Sequence, residues 1–317
     1  MPRVLVTGGA GFIGSRVAEM CAKNGLEVRV FDLMKSKAKG VQESLTGSIL
    51  DPYNVSLAAR ECDYLVHAAA ALGVQRTETR RLECLYINIQ GTVNVLEAAV
   101  KERVKKIVFT SSSEVYGDQD LPFYGEETPP MPKSNYAITK LIGEEYLRAY
   151  RMSYGIDYSV VRFFNVYGEG QAPQFVVSKF AEAIREGKEP TVYGDGTQLR
   201  SFCHVEDAAR GAVGALLSEK ANSEIFNIGN DREPITMAQL ADKMIALSGK
   251  KGIRPRFVEF QDSDREAKRE IQKRIPLLSK AQTILRYEPK ITLEEGLMRV
   301  LEVEKRASRE PEQALKA

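Results

Sequence analysis

Residues 4–15 read VLVTGGAGFIGS. An apolar run ending at Thr7 meets Gly8, Gly11 and Gly14. Ile13, Val17 and Met20 then recur at helical spacing up to Gly25, which closes the helix. The order is strand, tight turn, helix. Glycine suits such a turn for three reasons: a sharp reversal, a close backbone approach to a bound pyrophosphate, and close packing of helix on strand. The pyrophosphate then sits at the positive end of the helix. The next strand, EVRVFD (27–32), ends in Asp32. An acid about 20 residues after the loop hydrogen-bonds a ribose diol and repels a 2′-phosphate. The expected cofactor is therefore NAD rather than NADP, although Lys35 and Lys37 lie nearby.

The pattern repeats outward from this loop. A helix near 54–61 precedes the strand DYLVHA (63–68). A long helix follows, with Leu85, Ile89, Val93, Leu96 and Val100 as its apolar stripe. Then come the strand KIVFTS, a helix from about Tyr136 to Tyr154, and the strand YSVVRF. Strands alternating with helices imply parallel β-α-β units. The fold class is α/β: a Rossmann-type doubly wound parallel sheet with a smaller C-terminal α/β substrate-binding domain. Residues 1–165 form most of the first domain. Residues 166–306, richer in Pro and Gly, form the second, with helices around 173–187, 204–219, 236–249 and 292–306 and some segments shared. Residues 307–317 read as a polar tail.

The bulk numbers exclude several functions. At 317 residues, 43% hydrophobic and 28% charged, the chain is long enough to bury a large core. A net charge of +2 with well-mixed signs gives no nucleic-acid surface. No apolar stretch approaches the length of a membrane span. Four scattered cysteines without a CxxC read as reduced thiols. The two histidines, His67 and His204, offer no metal site and read as packing or hydrogen-bonding residues. With no signal-peptide pattern, a cytoplasmic location is expected.

Two stretches carry chemistry. In SNYAITK, Tyr136 and Lys140 lie four apart and project from one helix face. A free phenol, with a pKa of about 10, is a poor base at neutral pH. A neighbouring ammonium, together with an oxidised nicotinamide, should favour the phenolate, which can then take a proton from a sugar hydroxyl. In TSSSEVYG (110–117), strand alternation sets Ser112 on one face and Ser111 and Ser113 on the other. By the same period Glu114 shares the face of Ser112.

These motifs resemble a known family. GxxGxxG, TSSSEVYG and YAITK stand in the order of the short-chain dehydrogenases/reductases. From Met1 to about Val303 the chain is similar to their extended branch, the NAD-dependent sugar-nucleotide epimerases and dehydratases. HAAA (67–70), Asn88 in INIQGT, RFFNVYG (162–168), VYGDGTQLRSFCHVEDAARG (192–211), FNIGN (226–230) and REIQKRIPLLSKA (269–281) carry the rest of the likeness.

The resemblance implies roles by position. Phe12, Ile13, Ala68, Ala69 and Asn88 join the glycines and Asp32 around NAD, with Phe163 against the nicotinamide. Ser112, matched on VYG, is the catalytic hydroxyl beside Tyr136 and Lys140; Glu114 joins the catalytic set, positioning substrate in an epimerase or acting as acid or base in a lyase, and Ser113 adjoins the substrate. Asn165 touches the sugar-linked phosphates and Tyr193 stacks on uracil. Arg200, with Arg269 or Arg274, clamps the diphosphate. One departure stands out: TGSILD places Ser48, beside Ile49, where the family carries an aspartate toward adenine. Either Ser48 replaces it or Asp51 compensates.

The implied substrate is a UDP-sugar, first oxidised at C4. An epimerase then needs no further acid or base, whereas a dehydratase or decarboxylase does. Dehydratases of the family look like Thr-Asp-Glu before VYG, and decarboxylases like Thr-Ser-Glu. This chain reads Ser-Ser-Glu. Acidic Glu169 stands where uronate-specific epimerases often place arginine. Arg76, Arg80 and Arg81 read as surface or dimer-face charges. The expected function is a UDP-hexose 4-epimerase. The alternatives are a lyase (a UDP-hexosamine dehydratase or UDP-glucuronate decarboxylase) and a reductase. A homodimer through helices 82–101 and 137–153 is expected by resemblance.

Overall fold

The computed structural model describes residues 1–72, 79–259 and 271–307. In chain order the first half runs β1 (Arg3–Thr7), α1 (Phe12–Lys23), β2 (Glu27–Asp32), β3 (Glu43–Thr46), α2 (Pro52–Ala59), β4 (Tyr64–His67), α3 (Arg81–Lys101), β5 (Lys106–Ser112), α4 (Asn135–Tyr154) and β6 (Asp157–Phe163). The second half adds β7 (Val166–Tyr167), α5 (Val176–Arg185), β8 (Thr191–Tyr193), β9 (Leu199–Arg200), β10 (Cys203–His204), α6 (Val205–Leu217), β11 (Glu224–Ile228), β12 (Ile235–Thr236), α7 (Met237–Ser248), β13 (Arg256–Val258), β14 (Lys273–Arg274), α8 (Ser279–Leu285) and α9 (Leu293–Ala307).

Among the described residues, seven parallel strands form one sheet in the order β11-β6-β5-β4-β1-β2-β3. Strand alternation splits its apolar residues between two cores. Val4, Val6, Val28 and Val30 meet Val17, Ala18 and Cys21 of α1 and the alanines of α6 on one face. Leu5, Leu65, Ile107 and Phe109 meet α2, α3 and α4 on the other. This is the doubly wound arrangement expected. The strand order reverses between β1 and β4, and ligands bind in the crevice at that point.

Three elements differ from the sequence reading. β3, the half-exposed edge ESLT, carries no apolar pattern that could announce it. The seventh strand comes from Glu224–Ile228, and α6 before it packs on α1, so both belong to the first unit. The third difference concerns α3. Its buried face carries Cys84, Asn88, Gly91, Thr92, Val95 and Ala99; of the expected stripe Leu96 is buried, while Leu85, Ile89, Val93 and Val100 are only half-buried. The sheet side is too close for large side chains. A Cβ on Gly91 would come 2.7 Å from Ile49 Cγ1.

The smaller unit packs α5, α7 and α9 around Phe180, Val192, Leu240 and Leu297. Its short strands pair as β9 with β12 and β14, and β8 with β13. Of the expected tail, residues 308–317 lie outside the described residues.

Candidate active site

A cleft of about 920 Å³ opens at the carboxyl ends of the strands. Gly8, Gly11, Phe12, Ile13 and Gly14 line one end. Gly8 has φ +74°, and a Cβ there would lie 2.6 Å from Ala69 N. A Cβ on Gly14 would run into the Gly8 carbonyl oxygen. These positions admit only glycine, which brings α1, β1 and the turn after β4 together. Gly11 caps α1 with no side-chain acceptor, so its first-turn N–H groups are not taken by a side-chain cap. Asp32 Oδ2 accepts from Ala10 N at 2.9 Å, which fixes the carboxylate beside the loop. This cradle and its acid fit a dinucleotide.

The opposite wall of that end is Ala68 and Ala69, with Ser48 and Ile49 alongside. Ser48 Oγ accepts from Leu50 N at 3.2 Å. Asp51 does not compensate for the missing aspartate. Its carboxylate accepts from Tyr53 N, Asn54 N and Asn54 Nδ2 as the N-cap of α2, away from the cleft. Asn88 stands behind the wall rather than lining it. Its Oδ1 accepts from Ala71 N at 2.7 Å, and its Nδ2 donates to Ala71 O and to Thr139 Oγ1, each at 3.0 Å. It ties the turn after β4 to α4 and acts by positioning.

Ser112, Ser113, Glu114, Tyr136 and Lys140 converge midway along the cleft with Phe163. Ser111 lies on the other face and donates to buried Glu144 at 2.5 Å, as alternation requires. Ser112 Oγ accepts from Glu114 N at 3.2 Å, a role that leaves its own hydroxyl proton uncommitted. Glu114 reaches the cleft for a different reason than period 2. The strand ends at Ser112, and Ser113–Tyr116 coil into a 3₁₀ turn. Ser134, the N-cap of α4, donates to Glu114 Oε2 at 3.0 Å and accepts from Ala137 N. Ser134 was missed in the sequence; a serine just before a helical run is the signal that could have found it.

The electrostatics differ from the expected phenolate. Lys140 Nζ lies 4.8 Å from the Phe109 ring centroid and 5.7 Å from that of Tyr136. Burial, then the Glu114 carboxylate, then Cys84 push the Tyr136 phenol well above its ordinary 10. Lys140 is too deeply desolvated to counter this. Burial lowers its own pKa to about 8, with Cys84 and Glu144 opposing. Without a further positive charge, Tyr136 is a phenol at neutral pH. His67 is buried and neutral, its pKa lowered to about 3 by burial and by Lys140. Its Nδ1 pairs with Thr7 Oγ1 and its Nε2 with Thr92 Oγ1.

The smaller unit closes the other end. Asn165, Tyr193, Arg200 and Arg274 line it, and Arg269 lies outside the described residues. Asn165 Nδ2 donates to Ser201 O at 2.9 Å. Arg200 and Arg274 occupy paired register positions on β9 and β14, so both guanidinium groups reach the same cleft. Glu169 does not line it. Its carboxylate pairs with His204 Nε2 at 3.0 Å, and that hydrogen bond holds its pKa near 2. Arg80 pairs with Glu83, Arg81 lines the cleft, and Arg76 lies outside the described residues. Lys133, Lys179 and Gln198 also line the cleft and carried no sequence signal. Among the described residues no group of side chains is arranged for a metal ion, and no helix is long and apolar enough to cross a membrane.

Residues 4–229 match the NAD dependent epimerase/dehydratase family. The chain is 34% identical to a UDP-glucuronate 4-epimerase of Thermodesulfobacterium geofontis, over 94% of each chain. It is 34% identical to a UDP-N-acetyl-alpha-D-glucosaminuronate decarboxylase of Bacillus cytotoxicus, over 95% of this chain and 97% of that one. Among solved structures it resembles the UDP-glucose 4-epimerase of Thermotoga maritima with UDP-glucose. The TM-score is 0.88 at 32% identity, covering 96% of this chain and 99% of that one.

The buried ammonium has a cost that can be read by titration. Between pH 8 and 10.5 the unfolded chain keeps the Lys140 proton and the folded chain has lost it. The penalty is therefore full below pH 8 and fades as pH rises to 10.5. It amounts to about 3 kcal/mol. Lys140→Met should raise the melting temperature at pH 7, with a gain that shrinks toward pH 10.5. An unchanged or lower melting temperature at pH 7 contradicts this.

Proposed function

The chain belongs to the NAD-dependent epimerase/dehydratase family, and from that premise we propose that it is a 4-epimerase of a UDP-hexose, glucose/galactose or their N-acetyl forms, working through a transient 4-keto sugar. The observation that carries the reading is what accompanies Tyr136 and Lys140. Ser113 stands where the family's dehydratases carry an aspartate, and Glu114 is engaged by Ser134 rather than aimed alone at the substrate. Among the described residues that line the cleft, Glu114 is the one carboxylic acid beside the Tyr136–Lys140 pair, Asp32 standing at the glycine-loop end.

The roles follow from the chemistry. NAD, held by the glycine loop and Asp32, would supply the hydride acceptor and donor for the sugar C4 and a positive ring charge near Tyr136. The Ser112 hydroxyl donates to the sugar O4 and holds it against the phenol. Tyr136 takes the O4 proton during oxidation and gives it back during reduction. Lys140 favours the phenolate at that moment. Asp32 holds the adenosine ribose diol, and Arg200 with Arg274 neutralises the diphosphate. Tyr193 carries the base.

A second reading rests on one observation: Arg81 and Lys133 also line the cleft and could face a sugar carboxylate. That would make the substrate a uronate, with either C4 epimerisation or decarboxylation as the reaction. Incubation with UDP-glucose, UDP-N-acetylglucosamine and UDP-glucuronate, followed by mass spectrometry and isomer analysis, separates the two. A new C4 isomer of unchanged mass is expected from one of the first two, formed by Tyr136→Phe at a rate lower by a factor of about 10²–10⁴. Loss of carbon dioxide or water contradicts the epimerase reading.

The working form is proposed to be a cytoplasmic homodimer. Half-buried Leu85, Ile89 and Val93 adjoin exposed Leu82 and Tyr86 on α3, an apolar face that α4 leaves open. A native mass of twice the chain is expected. A monomer that persists at micromolar concentration contradicts it.

A further inference from the structure

The reacting groups and the paired arginines stand on different parts of the chain. Ser112, Tyr136 and Lys140 come from β5 and α4, while Arg200 and Arg274 come from β9 and β14 of the smaller unit. A substrate gripped at one end and reacting at the other needs a fixed distance between the two. A misplacement of about 1 Å can cost about 100-fold in rate.

Asp118 stands where these parts meet. It follows Gly117, whose φ is +67° and whose Cβ would run into the Met131 carbonyl oxygen, so the turn that delivers Asp118 requires glycine. Asp118 Oδ1 accepts from Gln272 N at 2.9 Å, and its Oδ2 accepts from Lys133 Nζ at 3.3 Å. Gln272 immediately precedes β14, and its carbonyl accepts from Leu199 N at 2.8 Å and from Arg200 Nη1 at 3.2 Å. Lys133 immediately precedes Ser134, the N-cap of α4 and the donor to Glu114. One short side chain thus joins the turn after Ser112, the start of α4 and the strand beside the arginines.

Stability does not account for this placement. An ion pair as exposed as this one, 25% for Asp118 and 35% for Lys133, contributes little to the fold. The same two units are joined nearby without it: Tyr124 N donates to Ile275 O at 2.9 Å, and Leu277 N donates to Tyr124 O at 2.8 Å. Those bonds hold the chain after β14. The setting of Gln272, before β14, falls to Asp118.

We propose that Asp118 is a positioning residue: it fixes the arginine-bearing strands against the Ser112 turn and the start of α4, and so sets the distance between the diphosphate and the sugar carbon to be oxidised. The inference rests on the nucleotide-sugar reading above and adds to it a residue outside the lining of the cleft.

Steady-state kinetics, calorimetry with UDP and thermal melting test it on the wild type, Asp118→Ala and Asp118→Asn. The kinetics use whichever of UDP-glucose, UDP-N-acetylglucosamine and UDP-glucuronate the wild type turns over, so a failure of the epimerase reading leaves the test intact. In Asp118→Ala, kcat should fall by about 10–100-fold. Its melting temperature and its affinity for UDP should stay level, because a ligand without the sugar can follow the arginines wherever they settle. Asp118→Asn keeps an oxygen for Gln272 N and gives up only an exposed ion pair, so its kcat should stay within about threefold of the wild type. An Asp118→Ala with wild-type kcat overturns the inference and leaves the enzyme reading standing. So does one that loses kcat, UDP affinity and melting temperature together, which would assign Asp118 to folding. An Asp118→Asn as slow as Asp118→Ala overturns it as well, since the effect would then belong to the charge and not to the bond with Gln272. A wild type that turns over none of the three sugars overturns both readings.

Discussion

The cleft is placed by one buried ion pair behind it. Arg162 on β6 donates to Glu144 on α4 through Nη2 at 2.6 Å and Nε at 3.0 Å, with both side chains almost fully buried. Burial alone would lower the arginine's pKa, but the Glu144 hydrogen bonds and Tyr116, whose ring lies 4.8 Å away, hold it above its ordinary value. Ser111 on β5 donates to the same carboxylate. Three elements thus meet at one group. Tyr136, Lys140 and Glu144 stand four apart on α4, so they form one ladder on the helix face. Ser111 is the chain neighbour of Ser112. Fixing Glu144 against Ser111 therefore sets Tyr136 and Lys140 against Ser112. Removing either charge would strand the other, which typically costs about 3–5 kcal/mol.

A second polar chain sets the cofactor end. Thr92 donates to Asn88 O at 2.6 Å, so its oxygen must accept from His67 Nε2–H. His67 Nδ1 is then free to accept from Thr7, at the end of β1. The chain continues through Asn88 to Ala71. It links the two strands where the sheet reverses, using neutral groups only. A charged histidine here would face Lys140, and burial prevents that. The Lys140 ammonium is left as the positive charge beside Tyr136, opposed by Glu114.

Much of this was legible before any coordinates. The glycine positions announce themselves because only hydrogen fits between two backbones at Gly8 and Gly14. Ser112 could be separated from Ser111 because a strand has a strict period of two. Other features depend on three dimensions. The buried face of α3 went unread because its contacts are small or polar. Asp51 looked available for adenine, and its use as a helix cap follows only from where α2 begins. Glu114 was assigned to the right cavity by the wrong period, since the strand stops two residues earlier, at Ser112. The phenolate was expected from the Tyr136–Lys140 spacing together with an oxidised nicotinamide; spacing carries no burial, and among the protein's own groups burial is the larger effect.

The central claim is that hydride leaves and returns at one carbon and that Glu114 holds the site without transferring a proton to substrate. The most direct test follows deuterium at C4 of the UDP-hexose through wild type and Glu114→Gln. Retention of the label at C4 of the inverted product, without release to solvent and with inversion persisting in the variant, is the predicted result. Movement of the label from C4 to another sugar carbon, or a variant that accumulates NADH and releases no C4 isomer, would contradict it and favour a lyase.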